Sequence, residues 1–265
     1  MDVLVHEYET THDPATGQRM EKALWDYIEF NTAIQLVKNR SVSPRDPLGL
    51  GEPKFNDLTP TINHYWNAAR GYFDATRHVV GGHRYKSSNL DVAVILAALH
   101  TRGDRTDGVV AVDDDRVLAT AAALAEHHRR VFAINLRFRP DLPPAIGRYE
   151  EDQFMGGNPW FLCTLAMAEL HFRVAVRIVR DGFVTITSRS IAFFAALPTA
   201  PLAGIGPGTV DKGDAQFAAI LEGLLERGDG YLVRVRVHMG EGGRMDEQID
   251  RWTGKMRSAI DLTWS

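Results

Sequence analysis

Residues 240–265 read GEGGRMDEQIDRWTGKMRSAIDLTWS. The stretch opens on a loop signal, Gly240-Glu241-Gly242-Gly243, and runs into Met245-Asp-Glu-Gln-Ile-Asp250, which is dense in carboxylates. A turn at Gly254, a serine at 258 and an apolar-aromatic end, Ile260-Asp-Leu-Thr-Trp264, follow. A loop carboxylate beside a tryptophan and a hydroxyl suits a general base, because the aromatic wall excludes water and the hydroxyl orients the acid. On residue types alone a solvated acidic loop is the plainer reading, since loops are polar for many reasons.

The order of residues separates these readings. Met-Asp-Glu-Gln followed by Ser-Ala-x-Asp-Leu-Thr-Trp resembles the C-terminal catalytic segment of fungal-type glucoamylases, glycoside hydrolase family fifteen. The resemblance implies that Glu247 is the catalytic base of an inverting glycosidase, that Ser258 supports it, and that Trp264 lies beside it.

A second word carries the same resemblance. Gly147-Arg-Tyr-Glu-Glu-Asp-Gln-Phe-Met-Gly-Gly-Asn-Pro-Trp160 is, physically, a loop with one arginine next to three acids. Its end predicts a helix start, with Asn158 as cap and Pro159 in the first position. The family has Gly-Arg-Tyr-x-Glu-Asp and Asn-Pro-Trp-Phe-Leu at the same spacing. Arg148, Glu151 and Asp152 are thereby implied to hold sugar hydroxyls and Trp160 to line the cleft. Guanidinium and carboxylate groups suit this task, because a sugar hydroxyl both donates and accepts. The word Gly49-Leu-Gly-Glu-Pro-Lys-Phe-Asn56 also matches the family, where the loop helps to build the rim of the site, and Lys54 carries over as a substrate contact. Taken without the resemblance it is a rigid connecting loop.

The rest of the chain reads as alternating helices and loops. Apolar stripes predict helices over Met20–Lys38, from Ser88 or Asn89 as cap through Leu99, Asp113–Phe132, Pro159–Arg180, Ser190–Leu197 and Asp214–Arg227. His100, at the end of one of these, is read either as a C-terminal cap or as a site residue. Asp113-Asp114-Asp115 is a capping cluster and not a metal site, and His127-His128 lacks helical ligand spacing. Phe183–Thr187 reads as extended and Pro198–Gly208 as a surface loop. Tyr231-Leu-Val-Arg-Val-Arg-Val237 alternates like a strand, where the resemblance implies a helix end. The resemblance implies an all-α fold, a partial six-plus-six α/α barrel, with residues 1–265 forming one incomplete catalytic domain.

Composition agrees with such a protein. The chain has 265 residues, is 45% hydrophobic and 24% charged, and carries a net charge of −4, so nucleic acid is not an expected partner. The single cysteine, Cys163, forms no internal disulfide and reads as a small core residue. No membrane span and no secretory leader are expected from the sequence as written, although the family is usually secreted or vacuolar. The implied substrate is starch, glycogen or a maltooligosaccharide, cleaved from non-reducing ends with release of β-D-glucose and without metal or cofactor. The family's general-acid segment, Asp-Leu-Trp-Glu-Glu, has no counterpart in the text after Asn56, and neither does its Trp-Thr-Arg-Asp substrate loop. Three readings follow: a glucoamylase-type exo-glucosidase, an inactive relative that binds oligosaccharide, and a fragment of a longer enzyme.

Overall fold

The computed structural model describes residues 62–76, 86–100, 110–198 and 204–260. All of them fall in one compact unit, Leu58–Ser265. The expected helix over Met20–Lys38 and the loop carrying Lys54 lie outside the described residues, as does Trp264.

Among the described residues six α-helices make the frame: α1 (Ala93–His100), α2 (Asp115–Val131), α3 (Ile134–Arg137), α4 (Phe161–Asp181), α5 (Ile191–Ala195) and α6 (Ala215–His238). Among the described residues the strands are short and pair as antiparallel two-stranded ribbons: β1 (Trp66–Asn67) with β2 (Tyr72–Phe73), β3 (Phe183–Ile186) with β4 (Gly208–Asp211), and β5 (Gln248–Ile249) with β6 (Met256–Arg257).

Local chemistry explains where the helices begin. Asp114 caps α2 by accepting from the backbone N–H of Arg116 at 2.9 Å, and its carboxylate also grips the Arg116 guanidinium. Asp115 adds negative charge to the first turn, and His128, Arg129 and Arg130 add basic groups to the last, so both ends complement the helix dipole. In α1 the expected cap is corrected. Neither Ser88 nor Asn89 caps it; Asp91 does, accepting from the N–H of Ala93 at 2.7 Å. Ser88 is used instead to bond Glu151, and Asn89 has a left-handed backbone with its amide tied to Thr76.

Helices α4 and α6 pack along one another more extensively than any other pair of elements. Close approach requires glycine at 228, where a Cβ would stand 2.6 Å from the ring of Phe172. Around this pair a large core gathers Ile95, Leu118, Leu124, Met167, Val174, Phe194, Ile220 and Leu224, with Cys163 buried among them. A second, smaller cluster unites Phe132, Ile134, Ala145, Phe161, Val235 and Ile249, and so lies directly beneath β5.

The strand expected at Tyr231–Val237 is not there: α6 continues through it to His238. The alternation misleads because its polarity is reversed. Val233 and Val237 face solvent, while Arg234 is fully buried. Tyr231, Arg234, Val235 and His238 form the inward stripe at helical spacing. Arg234 is tolerated there because its guanidinium donates to the carbonyls of Pro143, Phe138 and Arg139. Burial nonetheless pulls its pKa down to about 10.

Candidate functional site

The two words that carry the resemblance lie side by side, joined by backbone. The segment Ile146–Tyr149 is bridged to Asp91 on one side through Tyr149 and to Pro159 on the other through Gly147. Trp160 is bridged in turn to Gln248, and the N–H of Ile249 donates to the carbonyl of Pro159 at 2.9 Å. From there β5 pairs with β6. One run of extended backbone therefore places Arg148, Trp160 and Glu247 in a single neighbourhood.

This arrangement corrects the expected start of α4. Trp160, not Asn158, is the cap residue, with extended backbone and no side-chain cap bond, and Pro159 precedes the helix. The extended conformation at 158–160 is needed for the bridge to Gln248. Asn158 is buried, and its amide reaches across to the other word instead of back to its own helix.

Arg148 forms a parallel fork with Asp152, Nε to Oδ2 at 2.7 Å and Nη2 to Oδ1 at 2.6 Å. The hydrogen bonds to Asp152 hold the guanidinium pKa above its usual value. The same guanidinium lies over Trp160 at 5.0 Å, Phe154 at 5.1 Å and Tyr149 at 5.5 Å. Its Nη1 donates to nothing among the described residues and stays available to a ligand. Trp160 is buried, and its indole Nε1 has no partner among the described residues. Such an orphan donor beside an open guanidinium is what a polar ligand would satisfy.

Glu151 is placed differently from its neighbours. Its carboxylate accepts from the Ser87 hydroxyl at 2.9 Å and from both the N–H and the hydroxyl of Ser88, so it ties down the segment before α1. Burial alone would raise its pKa, but these hydrogen bonds together bring it below the usual carboxylate value. Glu150 pairs with His127 at 2.9 Å.

Glu247 is half-buried on the other word. Its Oε2 accepts from the Ser258 hydroxyl at 2.5 Å and from Gln248 Nε2 at 3.2 Å. Its Oε1 accepts nothing among the described residues. A carboxylate with one oxygen loaded and the other open can receive a proton from an ordered water. Ser258 is held opposite by the ribbon, in which the N–H of Glu247 donates to the carbonyl of Ala259. His100 is the exposed last residue of α1, a position that suits a cap. Among the described residues no group of His, Cys, Asp and Glu could hold a metal ion.

Residues 57–265 match the model of glycosyl hydrolases family 15. The chain belongs to that family. It is 31% identical to glucoamylase 1 of Rhizopus oryzae over 209 residues, which cover 77% of this chain and 33% of the relative. It is 32% identical to glucoamylase-1 of Schizophyllum commune, over 77% of this chain and 34% of the relative. Among solved structures, the family 15 glucoamylase of Hypocrea jecorina superimposes with a TM-score of 0.70 at 27% identity, covering 79% of this chain and 34% of that one. The chain thus spans about a third of the length of these relatives. Its fold is the one expected, all-α and part of the family 15 α/α barrel.

Three residues that join the two words had no site role in the sequence reading: Asn158, read there as a helix cap, Gln248 and Arg251. Gln248 stood inside the quoted word without a role. Arg251 donates to the carbonyls of Gly157 at 3.0 Å and Val131 at 2.9 Å and so holds the glycine turn beside the site. Its signal was hidden, because its partners lie 94 and 120 residues away.

Proposed function

We propose that this chain forms the base-and-binding part of a glucoamylase-type site, acting on α-1,4-linked glucans such as starch, glycogen or maltooligosaccharides at their non-reducing ends. Arg148, Asp152 and Trp160 hold the sugar, with Glu151 bracing their loop, and Trp264 and Lys54 keep the substrate-binding roles that the family resemblance implies. Glu247 takes a proton from the attacking water as that water adds to the anomeric carbon from the face opposite the leaving oxygen. The product is then β-D-glucose, the inverted anomer. The observation that carries this reading is the half-loaded carboxylate of Glu247, with Ser258 and Gln248 on Oε2 and Oε1 open.

Inversion also needs a carboxylic acid roughly 6.5–9.5 Å from the base to protonate the leaving oxygen. No residue of this chain is assigned to that task. Glu150, Glu151 and Asp152 are engaged by His127, by Ser87 and Ser88, and by Arg148. Turnover by the chain alone is therefore expected to be slower than in a glucoamylase with both groups by the factor general-acid help contributes, about 10²–10⁴.

The test is glucose release from maltotriose, with the anomer followed by proton NMR, for the wild-type chain and Glu247→Gln. Slow release of β-glucose that Glu247→Gln abolishes is expected. Release unchanged in Glu247→Gln, or release of the α-anomer, would overturn the reading.

A further inference from the structure

We infer that Asn158 fixes which end of the Gln248 side-chain amide faces Glu247, and so acts as a positioning residue for the base. The inference rests on the reading of Glu247 given above.

The argument begins with groups whose polarity cannot change. The backbone N–H of Arg251 only donates, and the carbonyl of Met155 only accepts. Asn158 stands between them, its Oδ1 accepting from Arg251 N at 3.1 Å and its Nδ2 donating to Met155 O at 2.9 Å. Turning this amide over would set N–H against N–H and carbonyl against carbonyl in a site that is 1% exposed. Burial shuts bulk water out, so four matched hydrogen-bonding groups determine the orientation of Asn158.

The second hydrogen of Nδ2 points to Gln248 Oε1, at 3.0 Å. Gln248 is fully buried, so its own amide is determined in turn. With Oε1 committed to Asn158, Nε2 is the end presented to Glu247 Oε2, at 3.2 Å. A fixed donor there favours the ionised carboxylate, the form a base needs. It also occupies Oε2, leaving Oε1 as the oxygen for water. Among the described residues on the segments around Glu247, Asp246 pairs with Arg244, Asp250 with Arg257, Arg148 with Asp152, and Arg251 with backbone carbonyls, while Lys255, on the turn into β6, makes no ion pair. The polarity that Glu247 meets from its own strand is thus set by an amide whose direction is decided 90 residues away in sequence.

The test uses the full chain and no turnover. With ¹³C and ¹⁵N labelling, the Glu247 carboxyl is titrated while the side-chain NH₂ of Gln248, assigned by its loss in Gln248→Met, is followed. In the wild-type chain the Gln248 NH₂ signals are expected to shift with the same midpoint as Glu247. Asn158→Asp offers acceptors only, which invites Gln248 to turn over and aim its carbonyl at Glu247. The Gln248 NH₂ protons should then lose their NOEs to the Glu247 side chain and gain NOEs to the side chain of residue 158. NOEs from the Gln248 NH₂ that stay on Glu247 in Asn158→Asp overturn the inference. So do Gln248 NH₂ signals that stay flat through the Glu247 titration, and that measurement stands even if Asn158→Asp fails to fold. Failure of the functional reading appears separately, as glucose release indifferent to Glu247→Gln.

Discussion

The hydroxyl of Ser258 donates to Glu247 Oε2 at 2.5 Å from a left-handed backbone, φ 73°, that non-glycine residues rarely adopt. Strain of this kind, roughly 1–2 kcal/mol, persists where the surroundings demand the side chain that causes it. Two substitutions separate backbone from hydroxyl. Ser258→Ala and Ser258→Gly both remove the donor to Glu247, but only glycine relieves φ. Urea denaturation should find Ser258→Gly more stable than Ser258→Ala by about 1 kcal/mol. Under the proposed reading glucose release should fall alike in both, since both lose the hydroxyl that holds Oε2.

The glycine turn inside the Gly147–Trp160 word predicts an unequal pair. Gly156 and Gly157 both have positive φ, 97° and 66°. A Cβ on Gly156 meets only Asn158 Nδ2 at 4.0 Å, whereas one on Gly157 would stand 1.8 Å from the carbonyl oxygen of Asp152. Gly156→Ala therefore carries only the conformational cost, about 1–2 kcal/mol. Gly157→Ala must also displace the backbone that holds Asp152 under Arg148, and should cost more than about 4 kcal/mol. Thermal melts of the two variants check the difference.

What could be read from sequence follows from range. Helices α2 and α4 announced themselves through local stripes and an acidic start, which act within one or two turns. The two words converged because each carries a specific order of residues. The bridge from Trp160 to Gln248 joins residues 88 positions apart, and nothing local signals it. That bridge forces 158–160 into extended backbone and so turns an Asn-Pro pair, usually a helix start, into part of the site. Tyr231–Val237 failed for the opposite reason: its local pattern was clear, but the buried residue was the arginine. Arg234 escapes the rule that apolar residues lie inside because three carbonyls receive it.

A buried imidazole predicts an acid-sensitive fold. His128 is enclosed near the end of α2, stacked on Phe132 at 5.1 Å, with Nδ1 unpartnered among the described residues. Burial first, and the neighbouring His127 second, lower its pKa to about 3. The unfolded ring takes up its proton near the ordinary imidazole value of 6.5. Between the two the unfolded state binds more protons, so stability is full above pH 6.5 and is lost as pH falls toward 3. His171, lowered to about 4 chiefly by burial, acts in the same direction. His128→Phe keeps the stack and removes one proton acceptor. Urea midpoints taken from pH 7 to pH 5 should fall less steeply in His128→Phe than in the wild-type chain.

Arg148 is the residue on which charge, stacking and an open donor meet. Its fork with Asp152 needs two parallel N–H groups, and its contacts with Trp160, Phe154 and Tyr149 need a flat cation. Lysine keeps the charge but supplies neither. In Arg148→Lys the ammonium can bond one oxygen of Asp152, and the plane over Trp160 is lost. Asp152, almost fully buried, is then left under-satisfied, which should lower stability by about 1–2 kcal/mol. The donor that faces outward at Nη1 goes too, so maltotriose affinity, followed by tryptophan fluorescence, should drop about tenfold, the equivalent of one lost charged hydrogen bond. Affinity that survives Arg148→Lys unchanged would mean that Arg148 only holds Asp152 in place and that the sugar is bound elsewhere. Affinity lost in Arg148→Lys but kept in Glu151→Gln would separate a residue that touches the ligand from one that braces its loop.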